Sequence, residues 1–208
     1  MENNDQAFKN WLVKTMGVNL EEEKIYPQGP IGVYSKYYAQ NMLYEKLNKD
    51  REVISREMLK EAFKEADENI NEITYLKTAL IPVPGMVEFI REVQGHCKCA
   101  IFSNDLTQRL KDSMEIFGIG DCFGYILGGD LMEKHKPDPE GVIKIMEKLG
   151  VEPENTALFG DSKLDVESGH KARCKYIFGV ISDISDLEYL KSNSNVSVND
   201  FNQIKVMK

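Results

Sequence analysis

The chain has 208 residues, enough for one large domain or a core with a smaller lobe, and its 42% hydrophobic and 29% charged content is ordinary for a folded globular protein. A net charge of -8 at neutral pH argues against nucleic-acid binding, which leaves a basic footprint. No apolar stretch approaches the length of a membrane span, and the polar start MENNDQ lacks the character of a signal peptide, so the expected location is cytoplasmic. An anionic ligand stays open, because a bound metal and one lysine reverse the potential locally. The four cysteines, Cys97, Cys99, Cys122 and Cys174, lack zinc-site spacing and read as buried free thiols.

Residues 1–78 read as helices only. Residues 5–16 carry Phe8, Trp11, Leu12 and Val13 on a narrow apolar stripe that ends at Gly17. Pro27, Gly29 and Pro30 break the chain; residues 33–47 then read as a long helix rich in tyrosine. Ser55, with Glu57 and Met58 after it, opens another helix with Leu59, Phe63 and Ala66 on one face. Tyr34, Tyr37, Tyr38 and Tyr44 could line a substrate pocket, but packing between helices is the plainer use of them.

From Pro82 the texture alternates. Pro84-Gly85 starts a helix through Val93, and residues 97–102 (CKCAIF) make a run of strand length. An amphipathic helix over 106–117 ends at Gly118, and 123–127 is a second strand. Residues 139–149 form a helix closed by Gly150, 156–159 a third strand, 166–172 a helix and 176–180 a fourth strand. Strands alternating with helices of this length imply right-handed crossovers and a parallel sheet covered on both faces: an α/β, three-layer Rossmann-like fold. Ligands on such sheets bind at the carboxyl ends of the strands.

Three candidate positions fall at such ends. Ser103-Asn104 follows the CKCAIF strand, where a hydroxyl and neighbouring N–H groups can hold a phosphate oxygen; Ser-Asn there is equally ordinary helix-cap chemistry. Lys136 lies in His135-Lys136-Pro137-Asp138-Pro139, where two prolines fix the backbone and suit an ammonium presented at a set point; a solvated lysine before a helix is the bland alternative. The run 158–165, LFGDSKLD, is an apolar strand, a glycine turn at Gly160, and then Asp161 and Asp165 one helical turn apart. Two carboxylates in that arrangement make a hard-oxygen site suited to Mg²⁺.

Taken together and in this order, the segments PVPGMVEFIREV, IFSND, FGYILGGDLMEKHKPDPEGVIKIMEKLGV and ALFGDSKLDVESGHKA resemble the core of the haloacid-dehalogenase-like hydrolase superfamily, mostly Mg²⁺-dependent phosphatases. The phosphoglycolate-phosphatase-like branch, with a helical cap inserted near the start, looks most similar. The resemblance covers residues 82–180 and implies a division into a cap-like region at 1–78 and a Rossmann-like core at 79–208. It also implies that Ser103 binds the transferred phosphoryl group, with Asn104 beside it. Lys136 would be a catalytic charge steadying nucleophile and phosphate, and Asp161 and Asp165 would hold Mg²⁺ directly or through water. No separate role falls to Asn104 or His135.

The family's first motif is an apolar strand ending in Asp-x-Asp, whose first aspartate attacks phosphorus and whose second is the acid–base. No apolar strand precedes Asp5, and Asp5-Gln6-Ala7 lacks the second carboxylate, so the central first strand and the nucleophile are expected to be absent. The alternating run 203–207, QIKVM, could restore a strand but not a nucleophile. The expected function is therefore that of a Mg²⁺-dependent phosphatase lineage acting on a small phosphorylated metabolite, as a monomer or homodimer, with a nucleophile-bearing strand lost or supplied in trans. Two alternatives are a catalytically inactive protein binding Mg²⁺ or a phosphorylated ligand, and a dehalogenase-type hydrolase. The dehalogenase would not need the metal to which Asp161 and Asp165 point.

Overall fold

The computed structural model describes residues 18–19, 24–25, 36–49, 55–61, 64, 76–77, 80–183 and 185–207. The chain divides into two compact units, Met1–Asn69 and Ile70–Lys208. In the first, β1 (Val18–Asn19) and β2 (Lys24–Ile25) pair antiparallel, and α1 runs over Lys36–Leu47. Residues 56–61 are helical, with Ser55 Oγ accepting the Met58 N–H at 3.1 Å. The expectation of helices only is thus corrected by the β1–β2 pair, whose two-residue rungs are too short to carry a hydropathy period. The expected helix at 5–16, and Tyr34, Phe63 and Ala66, lie outside the described residues.

The second unit alternates as its sequence does. In order come α2 (Met86–Val93), β3 (Cys99–Phe102), α3 (Thr107–Ile116), β4 (Phe123–Leu127) and α4 (Glu140–Leu149). They are followed by β5 (Ala157–Gly160), α5 (Lys163–Lys171), β6 (Tyr176–Val180), α6 (Leu187–Asn193) and β7 (Val196–Val198). Helix α4 ends at Gly150, whose φ of 62° places it in the left-handed conformation favoured after a helix. Helix α5 starts three residues earlier than hydropathy predicts, because Ser162 and Asp165 form a reciprocal capping box.

All the strand pairs of this unit are parallel, but they form two sheets rather than one: β3–β4, and β5–β6–β7 with β6 in the middle. Among the described residues β3 and β5 are each bonded on one edge only. Every residue of β3 is half-buried, and β5 has one exposed and three half-buried residues, whereas β6 keeps three of its five fully buried. Residues 204–207 join neither sheet, so QIKVM does not fill that edge.

Alternation along β5 and β6 makes the layers. Leu158 and Ile177 face α5, where Val166, Ile177 and Leu190 are at most 1% exposed. Phe159 and Phe178 face the other way and stack at 4.5 Å, with Phe89 of α2 edge-on at 5.5 Å and Phe201 at 5.9 Å from Phe159. Helix α4 covers β3 and β4, and Val142, Met146 and Ala172 gather both Phe102 of β3 and Leu158 of β5. The cysteines are free thiols, but of the four only Cys122 is buried; Cys97 is exposed, and Cys99 and Cys174 are half-buried. Short strands at an open sheet edge do not shield the side chains beside them.

Replacing Ile177 with alanine empties a site that is 1% exposed in the middle strand, and we expect a loss of about 2–5 kcal/mol in chemical denaturation. Val196→Ala, at a position 47% exposed in β7, should change stability by less than about 0.5 kcal/mol.

Candidate functional site

The site is assembled from the segments that follow β3, β4 and β5. After β3, the Ser103 N–H donates to the Leu127 carbonyl at 3.1 Å, and Ser103 Oγ accepts the Asp105 N–H at 3.2 Å. This is a serine turn rather than a helix cap, since the N-cap of α3 is Leu106 with no side-chain cap hydrogen bond, and it leaves the hydroxyl proton available because a serine oxygen both accepts and donates. Asn104 acquires a function that its sequence position does not announce: its Oδ1 accepts the backbone N–H of Lys136 at 3.2 Å. The two loops can approach because Gly129 has no side chain; a Cβ there would lie 2.5 Å from the Asn104 carbonyl oxygen. Asp130 secures the same junction, accepting both the N–H and the hydroxyl of Thr107 at 2.7 and 2.8 Å.

Lys136 is held on a loop tied at both ends. Glu140, in the first turn of α4, accepts the N–H groups of Glu133 and Lys134 at 3.0 and 2.8 Å and pairs with Lys144 at 2.6 Å. Those contacts, the Lys144 hydrogen bond foremost, push its carboxyl down to about 2. The Lys136–Pro137 peptide is cis. From this loop the Lys136 ammonium meets Asp165 Oδ1 at 2.5 Å and lies 4.2 Å from the centre of the Phe102 ring.

The two aspartates of the LFGDSKLD run occupy different electrostatic positions. Asp165 is 8% exposed; its Oδ1 takes Lys136, and its Oδ2 takes the Ser162 N–H at 3.0 Å and the Ser162 hydroxyl at 2.5 Å. Burial by itself would raise its carboxyl, but the Lys136 charge and these hydrogen bonds prevail and hold it below the ordinary range. Asp161 makes no direct contact with a cation among the described residues, and the Lys136 charge lowers it less than burial raises it. Burial, joined by the negative charge of Asp165, raises its carboxyl even though the Ser182 hydroxyl donates to its Oδ2 at 2.8 Å. Gly160 admits the turn between them, since a Cβ there would sit 2.2 Å from that of Asp165.

Lys136 thus joins Asn104 to Asp165, while Ser103 and Asp161 adjoin those residues at the ends of β3 and β5. The Ser162–Asp165 cap was legible as a Ser-x-x-Asp pattern. Ser182 lies 21 residues from Asp161 and carried no sequence signal. Among the described residues, no cluster of three or more His, Cys, Asp or Glu side chains could enclose a metal ion. The donor set still fits Mg²⁺, which keeps several waters and needs only one or two carboxylates beside a phosphate. The observation that supports the fit is Asp161, a largely buried carboxylate that shares the Lys136 charge with Asp165 and has no ion-pair partner of its own among the described residues. Asp165, fully engaged by Lys136 and Ser162, could act only through water.

Lys136→Met leaves Asp165 buried and unpaired and should cost about 3–5 kcal/mol in chemical denaturation; the Lys136→Met/Asp165→Asn double variant should recover part of that loss. Asp165 contributes stability that is fully present above its ordinary value of 3.8 and is lost as the pH falls through its lowered value. Acid titration of stability should accordingly be shallower in Lys136→Met than in the parent chain. Glu140→Ala should loosen the Lys136 loop, seen as faster amide exchange at Glu133 and Lys134 while the core amides of β6 are unchanged.

Comparison with known proteins accords with this geometry. A model of the haloacid dehalogenase-like hydrolase family matches residues 7–178, well over half of the chain. A phosphoglycolate phosphatase of Aquifex aeolicus is 29% identical over 143 residues, 67% of this chain and 64% of that protein. The pyrophosphatase PpaX of Oceanobacillus iheyensis is 32% identical over 127 residues, 61% and 58% of the two chains. The chain therefore spans less than two thirds of the length of these curated relatives. A subfamily IA hydrolase of the same superfamily from Geobacter sulfurreducens superposes with a TM-score of 0.63 over 95% of this chain and 86% of its own, at 17% identity. The chain belongs to the haloacid dehalogenase-like hydrolase family.

Proposed function

We propose that this chain carries the phosphate- and Mg²⁺-binding half of a phosphomonoesterase site for a small phosphorylated metabolite, and that turnover requires a further strand bearing the nucleophile. The observation that carries the reading is the largely buried Lys136–Asp165 pair set beside Asp161, which has no ion-pair partner of its own among the described residues. Ser103 offers a hydroxyl to a phosphoryl oxygen. Lys136, paired with Asp165, supplies positive potential where phosphoryl charge grows. Asp161 would hold Mg²⁺, which when bound neutralises phosphate oxygens and orients them. Asp165 fixes Lys136 and, through Ser162, the start of α5.

No aspartate in the 208 residues stands two places before another, so an Asp-x-Asp pair has to come from elsewhere. The divided sheet supports the same reading. Phe102 and Leu158 pack on one helix layer, yet their strands share no ladder among the described residues. Interior parallel strands are normally buried on both faces, whereas these two are not. An apolar segment inserted between β3 and β5 would pair both open edges and end between Ser103 and Asp161. It could belong to the same polypeptide or arrive in trans. Without it, the chain would bind phosphate and Mg²⁺ without turnover.

Thermal melts of this chain test the binding half. Inorganic phosphate with Mg²⁺ should raise the melting temperature, and Asp161→Asn should remove the Mg²⁺-dependent part; no response in the parent chain would defeat the reading. Hydrolysis of small phosphomonoesters should appear only when an apolar peptide ending in Asp-x-Asp is added, and not when the first aspartate of that peptide is asparagine. Turnover by the chain alone, abolished in Asp161→Asn, would overturn the requirement for an added strand.

A further inference from the structure

The segment that follows β6 plays no part in the family resemblance, which ends at residue 180, yet it reaches into the site. Ser182 and Ser185 meet Asp161 together. The Ser182 hydroxyl donates to Asp161 Oδ2 at 2.8 Å, and the Ser185 hydroxyl donates to the Asp161 backbone carbonyl at 2.7 Å. The Ser182 N–H in turn donates to Ser185 Oγ at 2.9 Å. Proton counting fixes these directions. A carboxylate and a carbonyl only accept, so each serine spends its one hydroxyl proton on Asp161, and Ser185 Oγ receives the backbone N–H with a lone pair. The 3.2 Å contact between the two hydroxyl oxygens then carries no proton of its own.

We infer that Ser182 and Ser185 are positioning residues that set the carboxylate plane of Asp161 for a divalent cation. The inference rests on the reading of Asp161 as a metal ligand. Its physical ground is that a carboxylate at a strand end keeps torsional freedom unless something holds it, while Mg²⁺ demands near-octahedral geometry of its ligands. Ser182 fixes the side chain and Ser185 the main chain of the same residue, from a loop anchored on β6. Both hydroxyls are short and rigid, so they hold Asp161 without competing as cations. Partners of this kind, one step removed from the metal, typically govern its affinity.

The test is Mn²⁺ binding to the full chain by electron paramagnetic resonance, with Mn²⁺ standing in for Mg²⁺ at a hard-oxygen site, alongside thermal melts without metal. Ser182→Ala should weaken Mn²⁺ binding about tenfold while the metal-free melt stays near that of the parent chain. Ser182→Thr, which keeps the hydroxyl, should retain most of the affinity. Should Ser182→Ala lose its cooperative melt, the comparison passes to Ser182→Thr against Ser182→Val, which match in shape and differ in the hydroxyl. Ser185→Ala should also weaken binding. Affinity unchanged within about twofold in folded Ser182→Ala or Ser182→Val would overturn the inference while leaving Asp161 as the metal ligand. A parent chain that binds no Mn²⁺ would instead defeat the metal reading and the inference together.

Discussion

The core unit depends on the contact between the Lys136 ammonium and the Asp165 carboxylate. Lys136 belongs to the connection from β4 to α4, and Asp165 to the first turn of α5, so the pair joins segments attached to two sheets that share no backbone ladder. Other links cross the same division: Lys171 Nζ donates to the Pro137 carbonyl at 3.1 Å, and Phe102 and Leu158 pack into one cluster. Of these links the ion pair alone joins two charged groups, and both of its side chains are largely buried. A buried pair contributes little net stability compared with a well-packed apolar pair, but losing one partner is costly. Its consequence here is specificity: the ends of β3, β4 and β5 are drawn to one place.

That fixed pair also decides what Asp161 is. One ammonium stands against two carboxylates, and Asp165 takes it at 2.5 Å. Asp161 is left with a residual negative charge in a largely buried position, and its carboxyl is raised accordingly. A divalent cation would turn the local balance positive, which is how a chain of net charge -8 could attract a phosphate to this spot. Aspartates four residues apart thus sit in unlike surroundings: Asp165 is tied to Lys136 and Ser162, while Asp161 is the carboxylate that the proposed function assigns to a cation.

Much of this was legible in the sequence, for definite reasons. The α/β alternation was readable because the longer helices of the second unit have an apolar stripe and a stop signal, as at Gly118 and Gly150, and because most of the strands are continuous apolar runs. Ser103, Asn104, Lys136, Asp161 and Asp165 could be picked out because chemistry in parallel sheets gathers at strand ends. Helix α6 and strand β7 were not read, since seven and three residues show no clear period. The β1–β2 rungs escaped for the same reason. The hold of Asn104 on the Lys136 backbone and of Ser182 on Asp161 could not be read at all. Such contacts are set by how loops close in space, and a serine or asparagine in a loop looks the same whether or not it has a distant partner.

The open edges and Asp161 belong to one problem. Asn104 meets Lys136 and Lys136 meets Asp165, so the strands before them present their carboxyl ends to a common point. A segment running parallel between β3 and β5 would satisfy two rows of backbone groups, each costing about 1–3 kcal/mol when buried without a partner. Whatever residue followed that segment would emerge beside Ser103 and Asp161. Sheet completion and site completion are then a single event, and binding of the strand would be coupled to binding of cation and phosphate. Each would favour the arrangement that the other needs, because the strand closes the site around the ligand and the ligand neutralises the charge that the strand would otherwise help to bury.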